Sequence, residues 1–363
     1  MRQGSAEIAA LFRCGRLALG LPAAIGHAYQ RIEGLNAAFD RVVAPSLNRV
    51  ISDTGERARI GVSLRTMSSK FGLAMLSYAY TARCEPSLEI VVLAGAATRL
   101  YDDLIDGDVD PRIGDRLGSL FGGRAETPEL DGERLLVWIV QEIARRITAS
   151  DDAAVFADLR SLHEFQRLSR RQREADISPA VLEQITQGKG AHANLVLCRL
   201  VNPRLGLVER ELVMDLGVTF QMLDDYVDVD EDRRNGVTTL ASLSLVTLAD
   251  IGLRFRVLRR RMLAQYGRRG TRLYCGMLFF LLLQALAHRR LPSLGRQFGR
   301  AAGRSSTLAF LTRGDNSLPH ADHDRITRPP ERTATGQAEQ TEQTEQPGQA
   351  EQTEQTDEET PCE

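Results

Sequence analysis

Apolar positions recur along most of this chain at three- and four-residue intervals, the period of a helix. The segment LEIVVLAGAATRLYDDLID, residues 88–106, is apolar, alanine-rich and free of internal proline, as a buried helix should be. Gly, Pro and Asn punctuate the pattern at CEPS, VDPRIG, GGRAETPELDG, VNPRLG and RRNG, where turns are expected. No run shows sustained two-residue alternation bounded by hairpin turns, so the pattern predicts an all-α protein. From residue 314 the periodicity is lost. The stretch QAEQTEQTEQPGQAEQTEQTDEET has no aliphatic residue larger than alanine, cannot offset its ordering entropy by burial, and reads as a disordered acidic tail (314–363) behind a helical domain (1–313).

Two short stretches break the apolar rule in the same way. RLYDDLID sets Asp102, Asp103 and Asp106 at the end of one apolar run, and FQMLDDYVD sets Asp224, Asp225 and Asp228 at the end of another. On a helix, residues three and four apart share a face. Either cluster alone reads as a solvated helix end or a salt-bridged surface. Two clusters with the same D-D-x-x-D spacing, facing each other, would crowd carboxylates into one cavity and raise their pKa values unless cations sat between them. Oxygen donors of this kind select Mg²⁺ or Mn²⁺, with substrate phosphate oxygens completing the coordination.

Composition narrows the picture in three places. Hydrophobic residues make up 43% and aromatics only 6%, which favours helices over sheets. Residues 333–363 hold nine acidic residues and no basic one, leaving +7 on the rest; the basic surplus gathers in LRFRVLRRR, YGRRGTR and AHRR. Those segments read as solvated helix faces or as attraction to anionic phosphate or a membrane surface. The five cysteines are scattered without CxxC spacing, which argues against a disulfide framework or a zinc site and fits a reducing cytoplasm. No signal peptide is evident at the N-terminus. The most apolar run, YCGMLFFLLLQALA, is shorter than the ~20 residues that span a bilayer, so it reads as a buried helix.

DDLID and FQMLDDYVD resemble the two aspartate-rich motifs of the trans-isoprenyl diphosphate synthases, a family of the class I isoprenoid synthases. Between them QGKGAHANL resembles the family's Lys-Thr segment, with Gly190 in place of the threonine. The resemblance, spanning roughly residues 55–240, implies a helical bundle around a central cavity. It implies three Mg²⁺ ions held by Asp102, Asp103, Asp106, Asp224, Asp225 and Asp228, clamping an allylic prenyl diphosphate. It assigns Lys189 to the diphosphate and Gln221 to orienting a carboxylate or phosphate. Arg112 matches the second arginine of an Arg-Arg-Gly segment, with Pro111 in the place of the first. It makes a homodimer the expected assembly and gives nucleic acid no part.

Chain elongation needs a second pocket, for isopentenyl diphosphate, and there the match is partial. TGERARIG supplies Arg59 but has Glu56 where the family has lysine, Gly95 stands at the histidine position, and Val237 stands where a lysine follows the second motif. Two reactions therefore stay open: a prenyltransferase extending an allylic diphosphate, and a terpene cyclase ionising one prenyl diphosphate alone. A head-to-head synthase and an inactive partner subunit are weaker readings, the latter opposed by six intact aspartates. Small residues at Ala97 and Thr98, just before the first motif, imply a deep pocket for a chain of C15–C20 or longer. His163 and His192 lack a second ligand at metal spacing and read as packing residues.

Overall fold

The computed structural model describes residues 13–106, 110, 112–124 and 126–290. Among these, regular structure is helical, with no strand. In chain order the helices are α1 (Gly15–Ala18), α2 (Leu21–Val42), α3 (Ala44–Val50), α4 (Thr54–Ala82), α5 (Leu88–Asp106) and α6 (Ile113–Phe121). There follow α7 (Asp131–Ala144), α8 (Ala149–Leu168), α9 (Pro179–Val201), α10 (Leu207–Val227), α11 (Val229–Arg234) and α12 (Leu248–Arg290). Contacts set Pro330–Glu363 apart from Met1–Pro329 as a second unit, which lies wholly outside the described residues. The tail expected from residue 314 and its boundary lie there too.

The helix ends carry the capping chemistry their sequences imply. Asp53 accepts the Glu56 N–H at 2.6 Å to start α4, which makes Glu56 the third residue of the helix, where a carboxylate favours the exposed N–H groups and the dipole. Thr148 caps α8, and Ser178 followed by Pro179 opens α9. At the other end of α4, Arg83 adopts the left-handed conformation (φ 59°) and the chain turns through CEPS into α5.

Pairwise packing closes a ring: α4 against α5, α5 against α9, α9 against α10, α10 against α12, and α12 back against α4. One apolar cluster runs through it, from Leu35 and Phe39 through Leu64, Leu93, Leu104 and Leu216 to Phe255 and Leu278, all nearly inaccessible. Three crossings in this assembly are backbone-close. A Cβ on Gly95 would lie 2.5 Å from the Ser68 Cα; one on Gly190 would lie 2.4 Å from the Gly217 carbonyl oxygen; one on Gly20 would lie 1.8 Å from the Arg272 carbonyl oxygen. Glycine is required at these contacts by space alone.

By length and composition α12 alone among the described helices would reach across a bilayer, but half of its most apolar window is buried in the protein. It also bends at Gly267 (φ 73°, ψ 178°), a backbone conformation open to glycine.

Candidate active site

Both aspartate clusters sit in the last turn of their helices, Asp103 and Asp106 in α5, Asp224 and Asp225 in α10. The helix dipole is negative there, so each carboxylate costs roughly 0.3–1 kcal/mol more than at the opposite end. Burial adds to that cost. It pushes Asp102 up to about 7, with repulsion from Asp106 and Asp103 reinforcing it and Lys189 and Arg99 opposing. Burial likewise pushes Asp225 up to about 6, opposed first by its Gln221 hydrogen bond. Asp224 and Asp228 are raised as well, by burial first, with Asp228 further repelled by Asp224. The Asp224 side chain is open to solvent.

Lys189 joins the two clusters. Its charge acts on Asp102 of α5 and on Asp224 and Asp225 of α10. It reaches both because α9 packs on α5 as well as on α10. The α9–α10 contact is the Gly190–Gly217 crossing, which also brings the Gln221 Cβ to 2.8 Å of where a Gly190 Cβ would stand. The departure from threonine at this position thus has a spatial cause: α10 occupies the room a side chain would need.

Within each cluster one carboxylate is spoken for. Asp103 pairs with Arg99 at 2.8 Å, four residues back on α5, and both are buried; this pair explains why an arginine sits in an apolar helix. Asp225 accepts the Gln221 Nε2–H at 2.8 Å and the Thr186 hydroxyl at 3.3 Å. Asp102 and Asp106 share the other face of α5. Asp224 and Asp228 share a face at the end of α10, where the helix is interrupted at Asp228 before α11 resumes.

Two participants escaped the motif reading. Asp232 continues the i, i+4, i+8 series from Asp224 and Asp228, and burial with repulsion from Asp225 and Asp224 raises it to about 7, Lys189 opposing. Its spacing was a usable signal. Lys70, on α4, acts electrostatically on Asp224; nothing in its neighbourhood, SSKFGLA, marks it.

The remaining expected residues are placed as follows. Ser68 lies opposite Gly95 and Gly72 opposite Val91, so α4 and α5 run antiparallel and Arg59 is level with the end of α5. Arg59 also shares a helical face with Lys70, eleven residues or about 16 Å further on. Arg112 is 71% exposed at its side chain, and among the described residues its partners are Asp110 and Glu129. Pro111 lies outside the described residues. Behind Arg112, buried Arg116 binds Glu133 at 2.7 Å and Asp110 at 2.6 Å, fixing the segment that follows the first cluster. Ala97 and Thr98 are half-buried, the Thr98 hydroxyl donating to the Ala94 carbonyl at 2.9 Å. Val237 is half-buried, its N–H donating to the Asp232 carbonyl at 2.8 Å. His163 is buried, its Nδ1 2.8 Å from the Tyr101 hydroxyl, and His192 stacks on Phe165.

Among the described residues no three His, Cys, Asp or Glu side chains gather closely enough to hold an ion by themselves. The donors fit Mg²⁺ only in company: one or two carboxylates from each cluster, water, and the oxygens of an anionic ligand. Excess negative charge on two facing helix ends, opposed by Lys189 and Lys70, suits that arrangement.

The architecture is similar to solved structures of prenyl diphosphate synthases, the family to which the motifs point. An FPP/GFPP synthase from Zymomonas mobilis shares 13% identity over 71% of this chain and 99% of its own, with a TM-score of 0.49. A geranyltransferase from Legionella pneumophila shares 15% over 74% and 99%, at 0.48. A polyprenyl synthase from Caulobacter crescentus, complexed with calcium and isoprenyl diphosphate, shares 16% over 84% and 98%, at 0.42. No family model matches the chain. No curated protein sequence matches it either.

Proposed function

We propose that the chain is a Mg²⁺-dependent prenyltransferase that ionises an allylic prenyl diphosphate and joins it to isopentenyl diphosphate, releasing diphosphate. The observation that carries this reading is that α9, which bears Lys189, packs on both aspartate-bearing helices, so that its charge bears on both clusters. Asp102 and Asp106 on one side and Asp224, Asp228 and Asp232 on the other would hold Mg²⁺, with Mn²⁺ as a substitute. Bound there, the ions would neutralise the diphosphate and favour its departure.

The chain's own groups act around that event. Lys189 from α9 and Lys70 from α4 place positive charge where negative charge grows on the leaving diphosphate, which lowers the barrier to breaking the allylic C–O bond. Gln221 and Thr186 hold Asp225, and Arg99 holds Asp103, so the ion-facing carboxylates keep fixed positions. Small Ala97 and Thr98, one turn before Asp102, leave room for a chain of C15–C20 or longer, and apolar surroundings keep water from the cation. Arg59, level with the end of α5, would serve a second diphosphate. Arg112 would serve the same diphosphate by swinging from Glu129.

One observation favours a single-substrate cyclase instead. Glu56 is a helix-start residue and Gly95 lies against the α4 backbone, so two of the places expected to bind isopentenyl diphosphate do other work. Incubation of the purified chain and Mg²⁺ with C10, C15 and C20 allylic diphosphates, with and without isopentenyl diphosphate, separates the readings. Longer diphosphates formed only with isopentenyl diphosphate support the transferase. Hydrocarbons or alcohols from one substrate alone overturn it in favour of the cyclase. A homodimer in the cytoplasm, touching membranes peripherally, completes the proposed setting.

A further inference from the structure

The outer face of α12 is basic and apolar at once. Residues 251–290 contain ten arginines and no Asp, Glu or Lys. Before the bend at Gly267, Ile251, Phe255, Leu258 and Met262 are buried, which turns Leu253, Val257 and Arg260 outward. At about 100° per residue these three fall within a sector of about 60°, with Arg254 and Arg256 on its flanks. Leu253 is 56% and Val257 49% exposed. The first described turn extends the surface. The Cys14 thiol donates to the Gly252 carbonyl at 3.4 Å, which sets Arg13 beside this part of α12, and Arg272 donates to the carbonyl of Leu19, a residue 67% exposed.

An ordinary solvated helix face interleaves its cations with carboxylates three or four residues away. α7 does so, pairing Arg134 with Asp131 and Arg145 with Glu142. On α12, Arg261 pairs with Asp215 and Glu211 of α10, and Asp250 is engaged by the Thr247 N–H and hydroxyl. Among the described residues, Arg254, Arg256, Arg259 and Arg260 form no ion pair. Their charge is thus open to an anion that the described residues do not supply.

Phosphate-bearing partners satisfy guanidinium groups by paired hydrogen bonds. A nucleic acid would satisfy the arginines and leave Leu253 and Val257 facing water. A second copy presenting this face about a twofold axis would set arginine against arginine. A bilayer with anionic headgroups offers phosphate and carboxylate at the level of the arginines and hydrocarbon just beneath, for the leucine and valine. We propose that this face of α12 docks the protein on an anionic lipid bilayer, with arginines at the headgroups and Leu253 and Val257 at the acyl boundary.

Flotation of the full-length chain with phosphatidylcholine vesicles, with and without phosphatidylserine, tests this. Binding should require phosphatidylserine and weaken as salt rises. R254E/R260E should lower it by about tenfold or more, and L253S/V257S severalfold at low salt. All four side chains are exposed; should one pair fail to fold by circular dichroism, R268E/R269E, exposed beyond the bend, replaces it. No binding to either vesicle overturns the proposal, as does R254E/R260E floating like the parent. So does L253S/V257S floating like the parent while parent and variant hold duplex DNA equally, because the face would then read polyanions. A monomer–dimer equilibrium abolished by L253S/V257S without vesicle binding overturns it in favour of self-association.

Discussion

Asp102 and Asp224 are the residues whose loss should cost most in turnover and least in fold. Each carries its charge near the unfavourable end of a helix, Asp102 half-buried and Asp224 open to solvent, so removing that charge costs the fold little while removing the oxygen donor it offers. Asp102→Asn and Asp224→Asn should lower kcat/KM at least ~100-fold, a loss of the order measured for a single transition-state donor, in assays following release of labelled diphosphate. The pH dependence of stability gives a separate check on Asp102. Its folded pKa, about 7, stands above the ordinary carboxylate value, so its contribution favours the fold in acid and is lost as pH rises through 7. Without added metal, Asp102→Asn should therefore raise Tm at about pH 8, by ~2–4 °C, and by progressively less toward about pH 4, where Asp102 becomes neutral in the unfolded chain as well. Differential scanning calorimetry at both pH values decides it. Ala97→Phe should shorten the accepted or formed chain, read by chromatography of the products. At this scale the aspartates were legible because acidic residues in apolar helices are conspicuous. Lys70 was not, because a lone lysine on a mixed helix carries no pattern until the bundle brings it within range of Asp224. Glu56 was legible both as a departure from the family's lysine and as the third residue of a DTGE helix start.

Helix crossings set by glycine position the site more firmly than any single hydrogen bond. Gly190→Ala or Gly217→Ala must push α9 from α10, because the added methyl would meet a carbonyl oxygen at 2.4 or 2.1 Å. Each should destabilise the fold by about 1–3 kcal/mol. Each should also weaken catalysis more than its stability loss explains, since Lys189 moves with α9; urea melts and steady-state kinetics on the same preparations measure both. Arg116→Ala should be costlier, about 3–5 kcal/mol, because it strands Glu133 in the interior. The helices themselves were legible element by element, since CEPS, VNPRLG and the Ser-Pro and Asp-Thr starts are local signals. Their crossings were not. A glycine inside a helix reads as a weak spot in one dimension and becomes a contact only when a second backbone occupies the space.

For the whole molecule, the ring of helices brings acidic charge from α5, α10 and α11 within range of Lys189 and leaves α12 beyond Asp250 with arginine as its charged residue type. The all-α class followed from periodicity, and the juxtaposition of the two clusters followed only from the resemblance, because no local rule brings residue 102 to residue 224. Helix α12 was half legible: its apolar C-terminal run was read as a core helix, whereas the arginine-rich half joined to it across Gly267 left a solvated face and an anionic partner both open. Gly95 carries a consequence for anyone wishing to convert the proposed chemistry. Ser68 fills the spot where a histidine would be grafted, so the graft would wedge two adjoining rods apart before it could greet a second isoprene unit. A new reaction outcome would have to be bred by recontouring α4 first, with the residue facing it exchanged afterwards.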